Sequence, residues 1–106
     1  LVQIEGNCFF NTVNKKLKKQ IKGVRIKAKK SKIKLEWTSL KKADSYIIYR
    51  AESESGLYYK YDTVLTNSYY DADVRKGRTY YYKVCAVQND KGIITKASKM
   101  VSVKAK

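Results

Sequence analysis

The 106-residue sequence predicts an all-β domain, a seven-stranded antiparallel β-sandwich, and three observations carry that prediction. Apolar and polar residues alternate at period two over several short stretches, as strands with one wet face require. Turn chemistry recurs about every 8–12 residues between those stretches. Tyrosine, whose ring suits a half-buried pleated surface, occurs ten times, against two phenylalanines and one tryptophan.

Residues 1–21 read as an N-terminal segment or linker, or the end of a preceding module, and residues 22–106 as the domain. Leu1 to Val13 holds short apolar runs broken by Gly6 and Asn7. It lacks the basic start and continuous apolar core of a signal peptide. Leu17 and Ile21 give the one helical spacing, i and i+4, but the lysines around them would repel along a helix.

From Gly23 the strand pattern takes over. Val24, Ile26 and Ala28 alternate with Arg25, Lys27 and Lys29. After a Lys30-Ser31 turn, Ile33, Leu35 and Trp37 alternate with Lys34, Glu36 and Thr38. Ser45 to Arg50 is apolar on both faces and reads as a central strand. Glu52 to Gly56 is turn chemistry. Tyr58 to Val64 and Ser68 to Asp71 are two further strands, parted by Leu65-Thr66-Asn67. Beyond a Lys76-Gly77 turn, Thr79 to Gln88 places Tyr80, Tyr82, Val84 and Ala86 on one face. Asn89-Asp90-Lys91-Gly92 is a hairpin turn by composition, and the last strand runs from about Ser98 to Val103.

The alternation selects a core of Leu35, Trp37, Tyr46, Ile48, Tyr69, Tyr80, Tyr82 and Val84, completed by Val101 and Val103. Tyr80, at the start of its strand, can fix a corner by a hydroxyl bond to backbone near Val74. Ile47, Tyr49, Tyr81, Cys85 and Val87 share the outward face of one sheet, a patch that suits contact with a neighbouring module.

Charge is the loudest compositional feature. Twenty-four basic residues against nine acidic give a net charge of +15, and Lys15 to Lys34 holds eleven basic residues and no acidic one. Lys15, Lys16, Lys18, Lys19 and Lys22 are the candidate contacts for a polyanion. No aromatic residue falls between Val13 and Trp37, and no RNA-binding signature of paired aromatics on adjacent strands is present, which argues against nucleic acid as that polyanion. Tyr58, Tyr59, Tyr61 and Tyr70 lie on edge or loop segments where exposed rings could stack on sugars. The absence of histidine removes His-based catalysis and His–metal sites. Cys8 and Cys85 are too few for a four-cysteine zinc site; they could join in one disulfide if the chain is exported. The carboxylates lie mostly near turns, and Asp71-Ala72-Asp73 reads as turn chemistry. No apolar run reaches the roughly 18–20 residues of a membrane-spanning helix. No catalytic residue, metal site or cofactor is expected.

Four stretches in this order resemble a fibronectin type III domain, an immunoglobulin-like sandwich, in the Lys/Tyr-rich form of Gram-positive bacterial surface and secreted proteins. They are Ile33-Lys34-Leu35-Glu36-Trp37, Ala43 to Arg50, Thr66 to Asp71, and Lys76 to Val87. The sequence departs from the wider family in having no proline. The resemblance implies a non-catalytic spacer or interaction module of a larger exported bacterial protein, extracellular or at the cell surface. It implies neighbouring domains of the same polypeptide as partners, with a cell-wall polymer or polysaccharide beyond them. The alternative is a polyanion- or glycan-binding module acting through the lysine-rich N-terminal stretch.

Overall fold

In the computed structural model, which describes residues 19–106, the alternation after Gly23 becomes β1 (Arg25–Lys29) and β2 (Lys32–Glu36). The chain continues through β3 (Ser45–Ala51), β4 (Tyr59–Val64), β5 (Ser68–Asp71) and β6 (Thr79–Gln88). It closes with β7 (Gly92–Ile93) and β8 (Val101–Lys104). One sheet has the order β1-β2-β5; the other has β4-β3-β6-β7, with β8 also paired to β6. All of these pairings are antiparallel. Among the described residues the architecture is therefore all-β, a two-sheet antiparallel sandwich.

The chain turns where its composition allows. Lys29 faces Lys32 across the Lys30-Ser31 turn, and Ser31 sits in the left-handed region at φ 65°. At the Lys76-Gly77 turn, Gly77 adopts φ 89°, which favours a residue without Cβ, and its N–H bonds the Ala105 carbonyl at 2.9 Å.

Residues from both sheets fill the space between them. Ile33, Leu35, Trp37, Tyr46, Ile48, Tyr80, Tyr82, Val84 and Ala86 are buried there, with Tyr69, Val101 and Val103 half-buried against them. Trp37 and Tyr46 meet edge to face, ring centroids 5.3 Å apart, and the Tyr46 hydroxyl accepts the Leu40 N–H. β3 lies between β4 and β6, and all seven of its residues are buried, which accounts for its apolar character on both faces.

Three boundaries differ from the sequence reading. Ile21, assigned there to the N-terminal segment, packs in the core at 3% exposure, and Gln20 pairs in parallel with Lys96. β7 is an eighth, two-residue strand that pairs with the end of β6. The last strand begins at Val101 instead of Ser98, because the connection before it meets β6 through hydroxyls. Thr95 Oγ1 accepts the Ala86 N–H at 2.9 Å and Ser98 Oγ the Val84 N–H at 3.0 Å, in place of ladder carbonyls.

The strand order also separates the two ends of the path. Lys22 lies beside Thr38, whose N–H it accepts, at the pole where β2 crosses to β3. Ala105 leaves at the other pole, bonded to Gly77 and Arg78.

Candidate functional site

The outward face of the smaller sheet gathers charge. Period two sends Ile26, Ala28, Ile33 and Leu35 inward, so Arg25, Lys27, Lys29, Lys32 and Lys34 all face out. Glu36 is the single carboxylate among these strand residues; it lies 4.0 Å from Arg25 and 3.6 Å from Lys34. The register sets Lys27 directly opposite Lys34 and Lys29 opposite Lys32. On the next strand Tyr70 lies opposite Lys34, its ring exposed, with the Lys32 and Lys34 ammonium groups 4.5 and 5.6 Å from its centroid. Chemically this is a shallow cationic surface with one aromatic platform.

A second polar group is internal. Asp71 Oδ2 accepts Arg50 Nη1 at 2.8 Å and the Tyr82 hydroxyl at 2.6 Å. Its Oδ1 accepts the Tyr61 hydroxyl at 2.8 Å and the Asp73 N–H at 3.0 Å. Arg50 Nη1 also donates to the Asp73 carbonyl, and the guanidinium lies 4.2 Å over the Tyr61 ring and 4.8 Å over that of Tyr80. Burial alone would lower the Arg50 pKa, but the bond and charge of Asp71 outweigh it and hold the guanidinium above its usual range. Burial, reinforced by Asp71, also pushes the Tyr61 and Tyr82 phenols up, and burial with Asp62 does the same to Tyr69. At 1% exposure and with four donors on its two oxygens, Asp71 has no acceptor free for a substrate. The group joins the two sheets, since Asp71 comes from β5 and Arg50, Tyr61 and Tyr82 from β3, β4 and β6. Sequence reasoning took Asp71 for turn chemistry and missed this group. A single arginine ending an otherwise apolar central strand was the available signal.

The other candidates are dispersed. Lys15, Lys16 and Lys18 lie outside the described residues; Lys19 and Lys22 are exposed. The tyrosines proposed for sugar stacking do not form one platform. Tyr58 is buried, Tyr59 and Tyr61 are half-buried, and Tyr70 alone is exposed, on the other sheet. The Tyr80 hydroxyl accepts the Arg75 N–H at 2.8 Å, one residue beyond the expected position. Cys85 is buried and disulfide-bonded, while Cys8 lies outside the described residues. Among the described residues no three His, Cys, Asp or Glu side chains converge as a metal site, and no helix is long and apolar enough to cross a membrane.

No family model matches the chain. It is 43% identical over 60 residues to an amylopullulanase of Thermoanaerobacter thermohydrosulfuricus, a stretch that covers 56% of this chain but spans only 4% of that protein. A solved fibronectin-III-like protein of Clostridium thermocellum aligns with TM-score 0.70 and 26% identity, over 81% of this chain and 91% of its own. A β-1,2-glucanase of Parabacteroides distasonis aligns with TM-score 0.71 and 25% identity, over 81% of this chain and 12% of its own. Solved fibronectin type III domains from animals align over a similar span.

Proposed function

We propose that this chain, which has the fibronectin type III fold, serves as a non-catalytic accessory module of a larger exported bacterial protein, holding neighbouring domains apart and in register. The path of the strands carries this reading. The described strands carry the path from Lys22, at one pole, to Ala105, at the other; the described residues measure 39 Å along their longest axis, and a packed core fills the space between. A domain so built transmits position and needs no cleft. The partial likenesses support the same context, since the amylopullulanase and the glucanase are both far longer than the stretch they share with this chain. Function still rests on this geometry, because one fold serves many roles. A disulfide agrees with an oxidising, extracytoplasmic setting.

The test uses fluorescent proteins fused at the two ends. The spacer reading expects one energy-transfer efficiency that is unchanged by soluble glucans or polygalacturonate, and no new reducing ends from either polymer. Turnover that follows the chain through repurification would overturn it.

A second reading, polyanion binding, is favoured by one observation. Lys27–Lys34 and Lys29–Lys32 are like charges directly opposite each other, an arrangement that costs the sheet stability and that a bound polyanion would relieve. Affinity electrophoresis through gels holding a sulfated polysaccharide or polygalacturonate checks it. Migration should be retarded at low salt, released as salt rises, and largely restored by Lys27→Gln with Lys34→Gln. Equal retardation of that variant would exclude this face.

A further inference from the structure

The row of residues that crosses the smaller sheet at Lys34 ends on an aromatic ring. Lys27, Lys34 and Tyr70 stand opposite one another on β1, β2 and β5, about 4.7–4.9 Å from strand to strand. β5 is an edge strand of its sheet, and Tyr70 is 47% exposed. The Lys32 and Lys34 ammonium groups that rest against its ring make a cation–π contact, which is weak at an exposed site and readily exchanged. Beside the ring, Arg25, Ile26, Lys27, Lys29, Lys34 and Glu36 line a shallow groove of about 370 Å³. Lys27, Lys29 and Lys32 have no carboxylate partner among the described residues. Glu36 lies at the end of the face away from Lys29 and Lys32, between Arg25 and Lys34.

Resting on the polyanion reading, we propose that this face binds a polyuronate, an acidic polysaccharide with a carboxylate on each sugar ring. One pyranose unit stacks on Tyr70 with its carboxylate taken by Lys32 and Lys34, and the next unit lies in the groove beside Lys27. A pyranose presents C–H groups along its face, which meet the negative face of a phenol ring, while its hydroxyls stay at the rim in water. In a uronate the carboxylate is bonded directly to a ring carbon, so charge and stacking surface arrive together. The lysines and Tyr70 are combined in the same way, with ammonium groups 4.5 and 5.6 Å from the ring centroid. A sulfate ester holds its charge further out, beyond a hydroxyl oxygen. A nucleotide holds its phosphate a whole sugar away from the base, and single strands stack successive bases on several rings, where the described residues of this face offer one. An acidic peptide brings charge without a flat ring. Lysine suits the exchange, because its ammonium is a compact charge on a flexible stem that can turn from the Tyr70 ring to the ligand.

The test compares dissociation constants of the full chain at low salt for end-labelled oligogalacturonate, oligoglutamate, oligothymidylate and a sulfated oligosaccharide, all of equal charge. The wild-type chain should bind the oligogalacturonate about tenfold more tightly than the oligoglutamate, through the added contacts of a sugar ring on a phenol. Tyr70→Ala should bring these two to parity without weakening the oligoglutamate, and Tyr70→Phe, which keeps the ring, should keep the preference. Equal urea midpoints of the three chains check that the fold is intact. Parity in the wild-type chain, or a preference that survives Tyr70→Ala, would overturn the uronate assignment and leave the polyanion reading standing. Tighter binding of the oligothymidylate or of the sulfated oligosaccharide would overturn it in favour of that ligand. If the wild-type chain binds none of the four, the polyanion reading falls as well.

Discussion

Asp71 loses the hydration of a full negative charge, and three side chains and one N–H replace it. Such a buried pair adds little over well-packed apolar residues, but removal of one partner strands the other in a medium that solvates it poorly. Asp71→Asn should therefore destabilise the domain by about 3–5 kcal/mol in urea unfolding, and Arg50→Met with Asp71→Leu should recover much of that loss. The tyrosines around Asp71 set an alkaline limit. In the unfolded chain a phenol ionises near pH 10, while in the fold Tyr61, Tyr69 and Tyr82 are pushed higher by burial and carboxylates. Between the two values the unfolded state has released protons that the folded state retains. Stability is thus full below about pH 10 and falls as pH rises beyond it. Tyr82→Phe should lower stability at neutral pH by about 1.5–3 kcal/mol, the worth of a hydrogen bond to a charged group, and make the alkaline decline shallower. An equally steep decline between pH 9 and 12 would remove Tyr82 from this account. At this scale the sequence showed where the large core rings would go, because alternation assigns faces. It hid the partners of Arg50, which come from three other strands.

Elements were the most legible level, and the reason is visible in β1 and β2. One-residue alternation leaves no freedom of register when one face must be buried, since a slip would turn Ile33 and Leu35 to water. The β7–β8 connection escaped because hydroxyls of Thr95 and Ser98 take the place of ladder carbonyls beside β6, a substitution that composition does not reveal, so the sequence reading extends the last strand back to Ser98. The β1–β2 turn holds a correctable cost. Ser31 at φ 65° occupies a region that L-residues with a Cβ enter at a penalty, and its turn is exposed. Ser31→Gly should raise stability by about 0.5–1 kcal/mol, after the extra freedom it gives the unfolded chain is subtracted. An unchanged or lower urea midpoint would show that the serine is not strained there.

The whole molecule combines the core between the sheets with a second apolar cluster on the outer face of the larger sheet. Ile47, Tyr49, Cys85 and Val87 were legible as an outward apolar set, but alternation reports which way a side chain points and says nothing of what lies over it. If Cys8 closes on Cys85, the bond ties together most of the chain in the unfolded state. The chain-entropy relation assigns a loop of this length about 4–5 kcal/mol, and measured disulfides more often give about 2–4 kcal/mol. The full chain should accordingly unfold at a clearly lower urea concentration with reductant than without it, and the slope of free energy against urea should rise as the reduced unfolded chain exposes more surface. The Cys8→Ser chain should match the reduced protein and show no response to reductant. If wild-type chain and variant share one midpoint in both conditions, the N-terminal segment contributes no covalent constraint, and the domain stands on the interior packed around Trp37 and Tyr82.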